Sequence, residues 1–213
     1  MLRDISNLRK SYTRNSLDEV NLPSSPFILF DNWFNEVKST NSKSEVNAMT
    51  LSTIDSNGYP NARIVLLKFF SNEGFIFFTN YNSRKSNEIN VNSKGALCFH
   101  WKSLRRQVRA VGNVEKATDQ ESDDYYFSRP LGSRIGAWAS KQSKLLDSRE
   151  TLLKRVKEYE NQFEDKPPRP EFWGGFRLIP KEIEFWSDGK FRLHDRFRFV
   201  QVKNEWKSNR LYP

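Results

Sequence analysis

Between residues 48 and 117, five short apolar runs follow one another: AMTLSTID, ARIVLLKFF, FIFFTN, GALCFHW and RQVRAVGNVEKA. SNGYP separates the first pair and SNEG the second, and Asn-Gly and Glu-Gly punctuation of this kind reverses a chain within a few residues. The last run alternates Val108, Ala110 and Gly112 against Gln107, Arg109 and Val111, the period of a strand with two unlike faces. The pattern predicts a meander of antiparallel strands, and five in succession point to a barrel or sandwich, because closure removes sheet edges.

Helices are predicted around this meander. PFILFDNWFNEVK, residues 26–38, places Phe27, Leu29, Phe30, Trp33 and Phe34 at near-helical spacing behind Pro26, which suits a first turn. TDQESDDYYFSR has Thr118 or Asp119 as a cap, and SRETLLKRVKEYENQF carries a stripe of Leu152, Leu153, Val156 and Tyr159. EDKPPRPEFWGG is a proline-rich connection too short to mark a domain boundary. EIEFW, SDGK and FRLHDRFRFVQV read as a final hairpin with Asp188-Gly189 as its turn. The expectation is a polar arm over 1–25 followed by a single domain over 26–213, mostly β with peripheral helices.

Composition bounds the function. Aromatic residues make up 14% of the chain, so the core should rest on Phe and Trp. A formal charge of +9 favours anionic partners without choosing among phosphate esters, nucleic acid and acidic membranes. The single cysteine, Cys98, excludes an internal disulfide and fits a reducing compartment, and without Cys/His clusters no zinc or other metal site is expected. No run approaches the roughly 18 apolar residues of a membrane span, and the N-terminus lacks a signal-peptide core, so a cytoplasmic protein without membrane attachment is expected.

Four cationic groupings stand out. In FWSDGKFRLHDRFRF, residues 185–199, a strand would set Arg192, His194, Arg196 and Arg198 on one face and Phe191, Leu193, Phe197 and Phe199 on the other. A solvated face is the bland reading, but adjacent like charges call for an anion between them. Asp195, on the apolar side, needs a partner. RKSNE, residues 84–88, reads as a turn that presents Arg, Lys, Ser and backbone amides to a phosphate, or else as an exposed loop. Arg63 and Lys68, five apart on a strand, point to opposite faces unless the strand is bulged, and either case requires an anionic partner. Tyr125, Arg129 and Ser133, at spacings of four, suit one helix face and the turn after Pro130, and could grip a phosphate. His100, in an aromatic strand, reads as a core or interface residue. No Walker loop, Gly-x-Ser-x-Gly, Gly-x-Gly-x-x-Gly or paired-carboxylate motif occurs, so an enzyme of this sequence would leave the hard chemistry to a cofactor.

Taken in order, RIVLLK (63–68), FFTN (77–80), SRK (83–85), RQVR (106–109), SRP (128–130), IGAWASKQS (135–143), WGGFRLIP (173–180), EFW (184–186) and RLHDRF (192–197) resemble the pyridoxamine 5'-phosphate oxidase family, from about residue 8 to the terminal RLYP. The resemblance implies an antiparallel FMN-binding split β-barrel and a homodimer with FMN at the subunit interface. It implies FMN contacts from Arg63, Ile64, Val65, Leu66, Leu67 and Lys68, from Phe78 and Thr79, from Arg84 and Lys85, and from Gln107, Gln142, Ser143, Trp186 and Arg196. It implies that Lys68, Tyr125, Arg129 and Ser133 hold the vitamer phosphate, that Arg192 and His194 act at its ring as the catalytic pair, and that Arg9 and Tyr12 of the arm form a lid. The implied reaction oxidises pyridoxamine or pyridoxine 5'-phosphate to pyridoxal 5'-phosphate, with dioxygen reduced to hydrogen peroxide. Phe78 stands where the family usually has tyrosine, and Leu131-Gly132 replaces a more polar pair. Two other readings compete. A phenazine-pathway oxidase on the same barrel need not keep the vitamer set together, and a basic β-barrel for single-stranded nucleic acid explains the charge but not the ordered motifs.

Overall fold

The structure, a computed structural model, describes Leu17, residues 22–40 and residues 45–213. Arg9 and Tyr12 of the expected arm lie outside the described residues. Five α-helices and nine strands are present among the described residues, in the order α1, β1 to β4, α2, β5, β6, α3 to α5, β7 to β9. The strand order β2-β1-β5-β6-β7-β4-β3, with β8 on β7 and β9 on β8, keeps the neighbours β1–β2, β3–β4 and β5–β6 of the predicted meander but corrects its succession, since β5 lies beside β1 and β4 beside β7. The residues from 26 onward divide into two compact units, one comprising the described residues up to Val46, Cys98–Ala110 and Lys181–Pro213, the other Asn47–Leu97 and Val111–Pro180.

The first unit is built on aromatic packing. Helix α1 (Pro26–Ser39) starts where Ser25 caps the Phe27 amide and buries Phe27, Leu29, Phe30, Trp33 and Val37 on one face. Phe30 meets Phe99 of β5 (Lys94–Trp101) at 5.0 Å between ring centroids, and Trp33 meets Phe185 edge-on at 5.2 Å. Phe185 belongs to β7 (Trp173–Ser187), whose second half pairs with β8 (Asp195–Val202) from Glu182↔Val200 to Ser187↔Asp195. Burial thus selects Phe197 and Phe199 and leaves Arg196 and Arg198 on the other face, as a period of two requires. Asp195 finds its partner in Arg210, 2.7 Å away on β9 (Glu205–Leu211), and also accepts the Leu17 amide. Cys98 is half-buried in β5, and burial pushes its thiol pKa up against the opposing charge of Arg109.

The predicted strand over 191–194 does not form. Phe191 and Arg192 both adopt left-handed backbone (φ 59° and 68°) inside a 3₁₀ turn, Lys190–Arg192, and no strand passes two such residues in succession. Phe191 and Leu193 are 77% and 69% exposed instead of packed, so Arg192 and His194 come from a loop and share no strand face with Arg196. His100 is likewise exposed, which corrects the core reading.

In the second unit β1 (Ala48–Ile54) and β2 (Pro60–Leu66) form a hairpin, Ala48↔Leu66 to Ile54↔Pro60. The run read as one strand over 62–70 is broken: β2 stops at Leu66, and Phe69–Ser71 is a separate short β3 on β4 (Gly74–Asn80). Leu67 and Lys68 between them donate their amides to Asn47 and Ile76, so the break gives Lys68 its own direction. β4 pairs with the first half of β7, Phe75↔Leu178 to Asn80↔Trp173. Phe75, Phe77, Phe176 and Leu178 are fully buried there. RKSNE is neither a turn nor a loop but the start of α2 (Arg84–Val91), with Ser83 at its N-cap.

β6 (Arg106–Lys116) runs into α3 (Asp119–Ser128), which begins with a capping box: the Thr118 hydroxyl accepts the Glu121 amide and Glu121 accepts the Thr118 amide. Thr118→Ala is expected to cost about 1 kcal/mol and to lower Tm by about 2–4 °C in a thermal melt. α3 stops before Pro130, which forces Arg129 into extended backbone, and α4 (Leu131–Ala139) begins immediately after. Tyr125, Arg129 and Ser133 therefore lie on two helices and their junction instead of one helix face. On α5 (Arg149–Phe163) the apolar stripe is narrower than predicted, with Leu153 49% exposed.

Candidate active site

The second unit contains a cavity of about 510 Å³. Its wall brings together Ile64, Val65, Leu66, Lys68, Phe78, Thr79, Lys85, Tyr125, Arg129, Ser133 and Gln142, residues expected from the sequence to meet either FMN or the vitamer. Lys68, Lys85 and Arg129 line it and no carboxylate does, so its field favours anions.

One cationic centre is Lys85. Helix α2 buries it to 8% exposure, with its Nζ donating to Thr79 Oγ1 at 3.0 Å and to Ser83 Oγ at 3.2 Å. Burial, and then the charge of Arg63, lower its pKa to about 8 against the pull of Glu88. Thr79 in turn donates to Gln142 Oε1 at 3.2 Å, which ties β4 to the segment after α4. Ser83 uses its hydroxyl on Ser86 and does not cap its own helix, so the first amides of α2 have no side-chain acceptor among the described residues.

The second centre is Arg129. Its guanidinium stands 4.8 Å from the Trp173 ring, and its Nη1 is sealed from solvent with no hydrogen-bond partner among the described residues. Burial pulls its pKa down, the mark of a cation lacking a counter-ion. The α4 N-terminus follows directly, with no side-chain cap and no acidic residue in its first turn, and Ser133 lies within that turn. A half-buried cation with one sealed nitrogen, beside uncapped helix amides, is a site that an anion completes. Lys68 lies 5.5 Å from the Tyr125 ring, and Tyr125 stacks on Phe78 at 4.2 Å, so an aromatic pair lines the cavity beside Lys68.

Arg63 is used differently from the sequence expectation. It pairs with Glu88 at 3.0 Å and donates to Thr53, and Arg84 holds the other Glu88 oxygen at 2.9 Å. Burial alone would raise the Glu88 carboxyl, but hydrogen bonds from Thr53, Arg84 and Arg63, with Arg63's charge, hold it below its usual value. The anion that Arg63 was expected to need is therefore supplied by the protein. Arg84 and Ser143 line a separate cavity of about 330 Å³ in the same unit, and Leu67 is buried beside the main cavity's Leu66 and Lys68 without lining it.

Gln107, Trp186, Arg192, His194 and Arg196 belong to the first unit. Arg196 donates Nε and Nη2 to Glu184 Oε1 at 3.0 and 2.9 Å and Nη1 to the Tyr212 carbonyl at 3.0 Å. Arg109 holds the other Glu184 oxygen at 3.2 Å. Arg198, which received no ligand role, faces Glu182 at 3.9 Å. His194 lies 4.6 Å from the Trp186 ring and contacts Asp188. Glu88, Glu184, Asp188 and Trp173 were missed from the sequence. Only Glu88 left a signal there, four residues after Arg84 on what proved to be a helix.

The model of the pyridoxamine 5'-phosphate oxidase family matches residues 39–163, and that of the pyridoxine 5'-phosphate oxidase C-terminal dimerisation region matches residues 173–213. A pyridoxine/pyridoxamine 5'-phosphate oxidase of Pseudomonas putida is 49% identical over 215 residues, covering 100% of both chains. The chain belongs to the pyridoxamine 5'-phosphate oxidase family. A second oxidase of the same name, from Cupriavidus necator, is 48% identical over 213 residues, again with full coverage of both. Among solved structures, PhzG from Burkholderia lata, in complex with tetrahydrophenazine-1-carboxylic acid, superposes with a TM-score of 0.86 at 29% identity over 91% of this chain and 95% of that one. A pyridoxamine 5'-phosphate oxidase-related, FMN binding protein from Nostoc punctiforme gives a TM-score of 0.69 at 15% identity, over 90% of this chain and 100% of that one, and shows the shared fold. The family is one of oxidoreductases on an antiparallel split barrel. No helix among the described residues is long and apolar enough to cross a membrane.

Proposed function

We propose that this protein oxidises pyridoxine and pyridoxamine 5'-phosphates to pyridoxal 5'-phosphate with FMN as its cofactor. The observation that carries the reading is one carboxylate-free cavity with two cationic centres on different elements, Lys85 on α2 and Arg129 before α4. Two phosphorylated ligands, cofactor and substrate, need two such centres. The donor set fits FMN: Lys85 and the uncapped amides of α2 for the phosphate, with Thr79, Gln142 and the segment Arg63–Lys68 beside it. Lys68, Tyr125, Arg129 and Ser133 hold the vitamer phosphate.

FMN held by these residues would supply a two-electron acceptor for the hydride of the substrate's 4'-carbon, with the hydroxyl or amino proton lost to solvent, and would return the electrons to dioxygen as hydrogen peroxide; the imine formed from the amine substrate would be hydrolysed by water to the aldehyde and ammonia. The chain's own part is binding and orientation. Arg129 and the α4 amides fix the phosphate end of the vitamer, while Arg192 and His194 fix its ring and Trp186 and Arg196 hold the flavin. The strained backbone at Arg192 supports an assignment to a working site. The region matched as a dimerisation region carries these four residues, in line with a homodimer that has FMN at its interface. Arg9 and Tyr12 close over the vitamer as a lid on the same reading, with residues 26–213 acting as one domain.

Purified protein should be yellow, and flavin-loaded protein given pyridoxine 5'-phosphate should form pyridoxal 5'-phosphate and hydrogen peroxide in equal amounts. A colourless protein that gains no flavin spectrum from added FMN would sink the proposal. Flavin-loaded protein without turnover would favour a phenazine-type oxidase instead, the reading that the PhzG superposition keeps open.

A further inference from the structure

Strand β6 ends at Lys116, and the chain turns into α3 after the Ala117 amide has donated to the Gly175 carbonyl of β7 at 2.9 Å. The first polar groups of β7 are then bonded by side chains. Ser122 Oγ on α3 accepts the Gly175 amide at 3.1 Å, and Arg169 Nη1 donates to the Trp173 carbonyl at 2.9 Å. Arg169 also donates Nε to Asp123 Oδ1 at 2.5 Å and Nη2 to Asp119 Oδ1 at 2.9 Å, while the Trp173 amide returns to the Pro170 carbonyl at 3.0 Å. One guanidinium thus ties the proline-rich connection and the start of β7 to α3. Burial opposes its charge, but the hydrogen bonds and charges of the two aspartates outweigh that and push its pKa up, the reverse of Arg129.

Trp173 matters through what rests on it. Its indole is 7% exposed, lies nearly parallel to the rings of Phe78 (5.7 Å, 12°) and Tyr125 (6.2 Å, 14°), and carries the Arg129 guanidinium 4.8 Å from its centroid. Arg129 Nη1 has no hydrogen-bond partner among the described residues, so the ring face is what holds this cation in place. We infer that Arg169 is a positioning residue for the vitamer phosphate, acting through Trp173 on Arg129. Arg169 does not itself line the cavity, so it has no direct hold on a ligand there. It fixes the Trp173 carbonyl on the side that β6 no longer reaches, and a platform displaced by a fraction of an ångström carries the cation out of register with the phosphate. This role rests on the proposed contact between Arg129 and that phosphate.

Holoenzyme carrying Arg169→Met should show a KM for pyridoxine 5'-phosphate raised about tenfold, a kcat within about twofold of the parent and an unchanged FMN dissociation constant. Asp119→Ala combined with Asp123→Ala leaves Arg169 on Trp173 but frees both from α3, and should give the same pattern. Either variant suffices should the other not fold. The deciding comparison is a double-mutant cycle: in the Arg129→Met background, Arg169→Met should add less than about twofold to KM. A tenfold rise that persists in that background, or a parallel loss of FMN affinity, makes Arg169 a general support of the fold and overturns the inference. A parent-like KM in the variants that fold does the same. If Arg129→Met itself leaves KM at the parent value, what fails is the phosphate contact at Arg129, and the role of Arg169 falls with it.

Discussion

Arg129→Met should raise the KM for pyridoxine 5'-phosphate by about 100-fold, with flavin content unchanged. The guanidinium is the cation whose Nη1 is buried without a hydrogen-bond partner among the described residues, so a phosphate that reaches it regains about 3 kcal/mol from two charge-assisted hydrogen bonds. That energy corresponds to about two decades in affinity. The same change should make the ligand-free protein more stable, because methionine leaves no unpaired charge behind and still packs on Trp173. A gain of about 1 kcal/mol would appear as a rise of about 2–4 °C in Tm. Steady-state kinetics with a parallel thermal melt reads both. An unchanged KM would remove Arg129 from the substrate site, and a fall in Tm would mean that the residue is structural. Opposite signs in the two measurements separate a binding cation from a packing one.

Lys85→Met should weaken FMN binding by about 100-fold, again from about 3 kcal/mol of lost charge-assisted contact. The loss should not spread through the fold, since Thr79 keeps Gln142 and Ser83 keeps Ser86 as partners. The pH dependence is the sharper test. With a pKa of about 8 in place of 10.5, native Lys85 carries fewer protons than the unfolded chain between those values. Raising the pH through that window therefore stabilises the ligand-free fold. FMN binding has the other sign: the charged ammonium grips the phosphate, so affinity should fall as pH rises through about 8. Titrating apoprotein with FMN by fluorescence quenching from pH 7 to pH 9 measures this. The methionine variant should show a flat profile over the range, and a slope equal to the parent's would assign the proton to another group.

Much of this architecture could be read from the chain because its signals are local. Helix α1 and strands β1, β2, β4, β5 and β6 follow from apolar periodicity and turn residues, and each formed within a residue or two of its expected limits, apart from the break at Leu67–Lys68. The elements that escaped lack such signals. Helix α2 is eight polar-rich residues fixed by burial of Lys85, Ser86, Glu88 and Ile89, a tertiary effect. β9 shows no alternation, and its strand state comes from its ladder with β8. Phe191 and Arg192 are neither Gly nor Asn, so nothing in their identity announces left-handed backbone. The site divides the same way. Its cations could be read from type and order, but Glu184 beneath Arg196, Glu88 beneath Arg63 and Asp188 beside His194 arise from pairings between distant or newly bent segments.

On the proposed reaction, which yields hydrogen peroxide, the half-buried thiol of Cys98 bears on how long the enzyme lasts. Peroxide attacks the thiolate form of cysteine, and burial that raises the pKa keeps this sulfur protonated at neutral pH. The chain holds no second cysteine to trap a sulfenic acid as an internal disulfide, so protection has to come from slow attack and not from repair. Met49, 1% exposed, is shielded as well, so the enzyme should outlast many catalytic cycles without a reductant in its buffer.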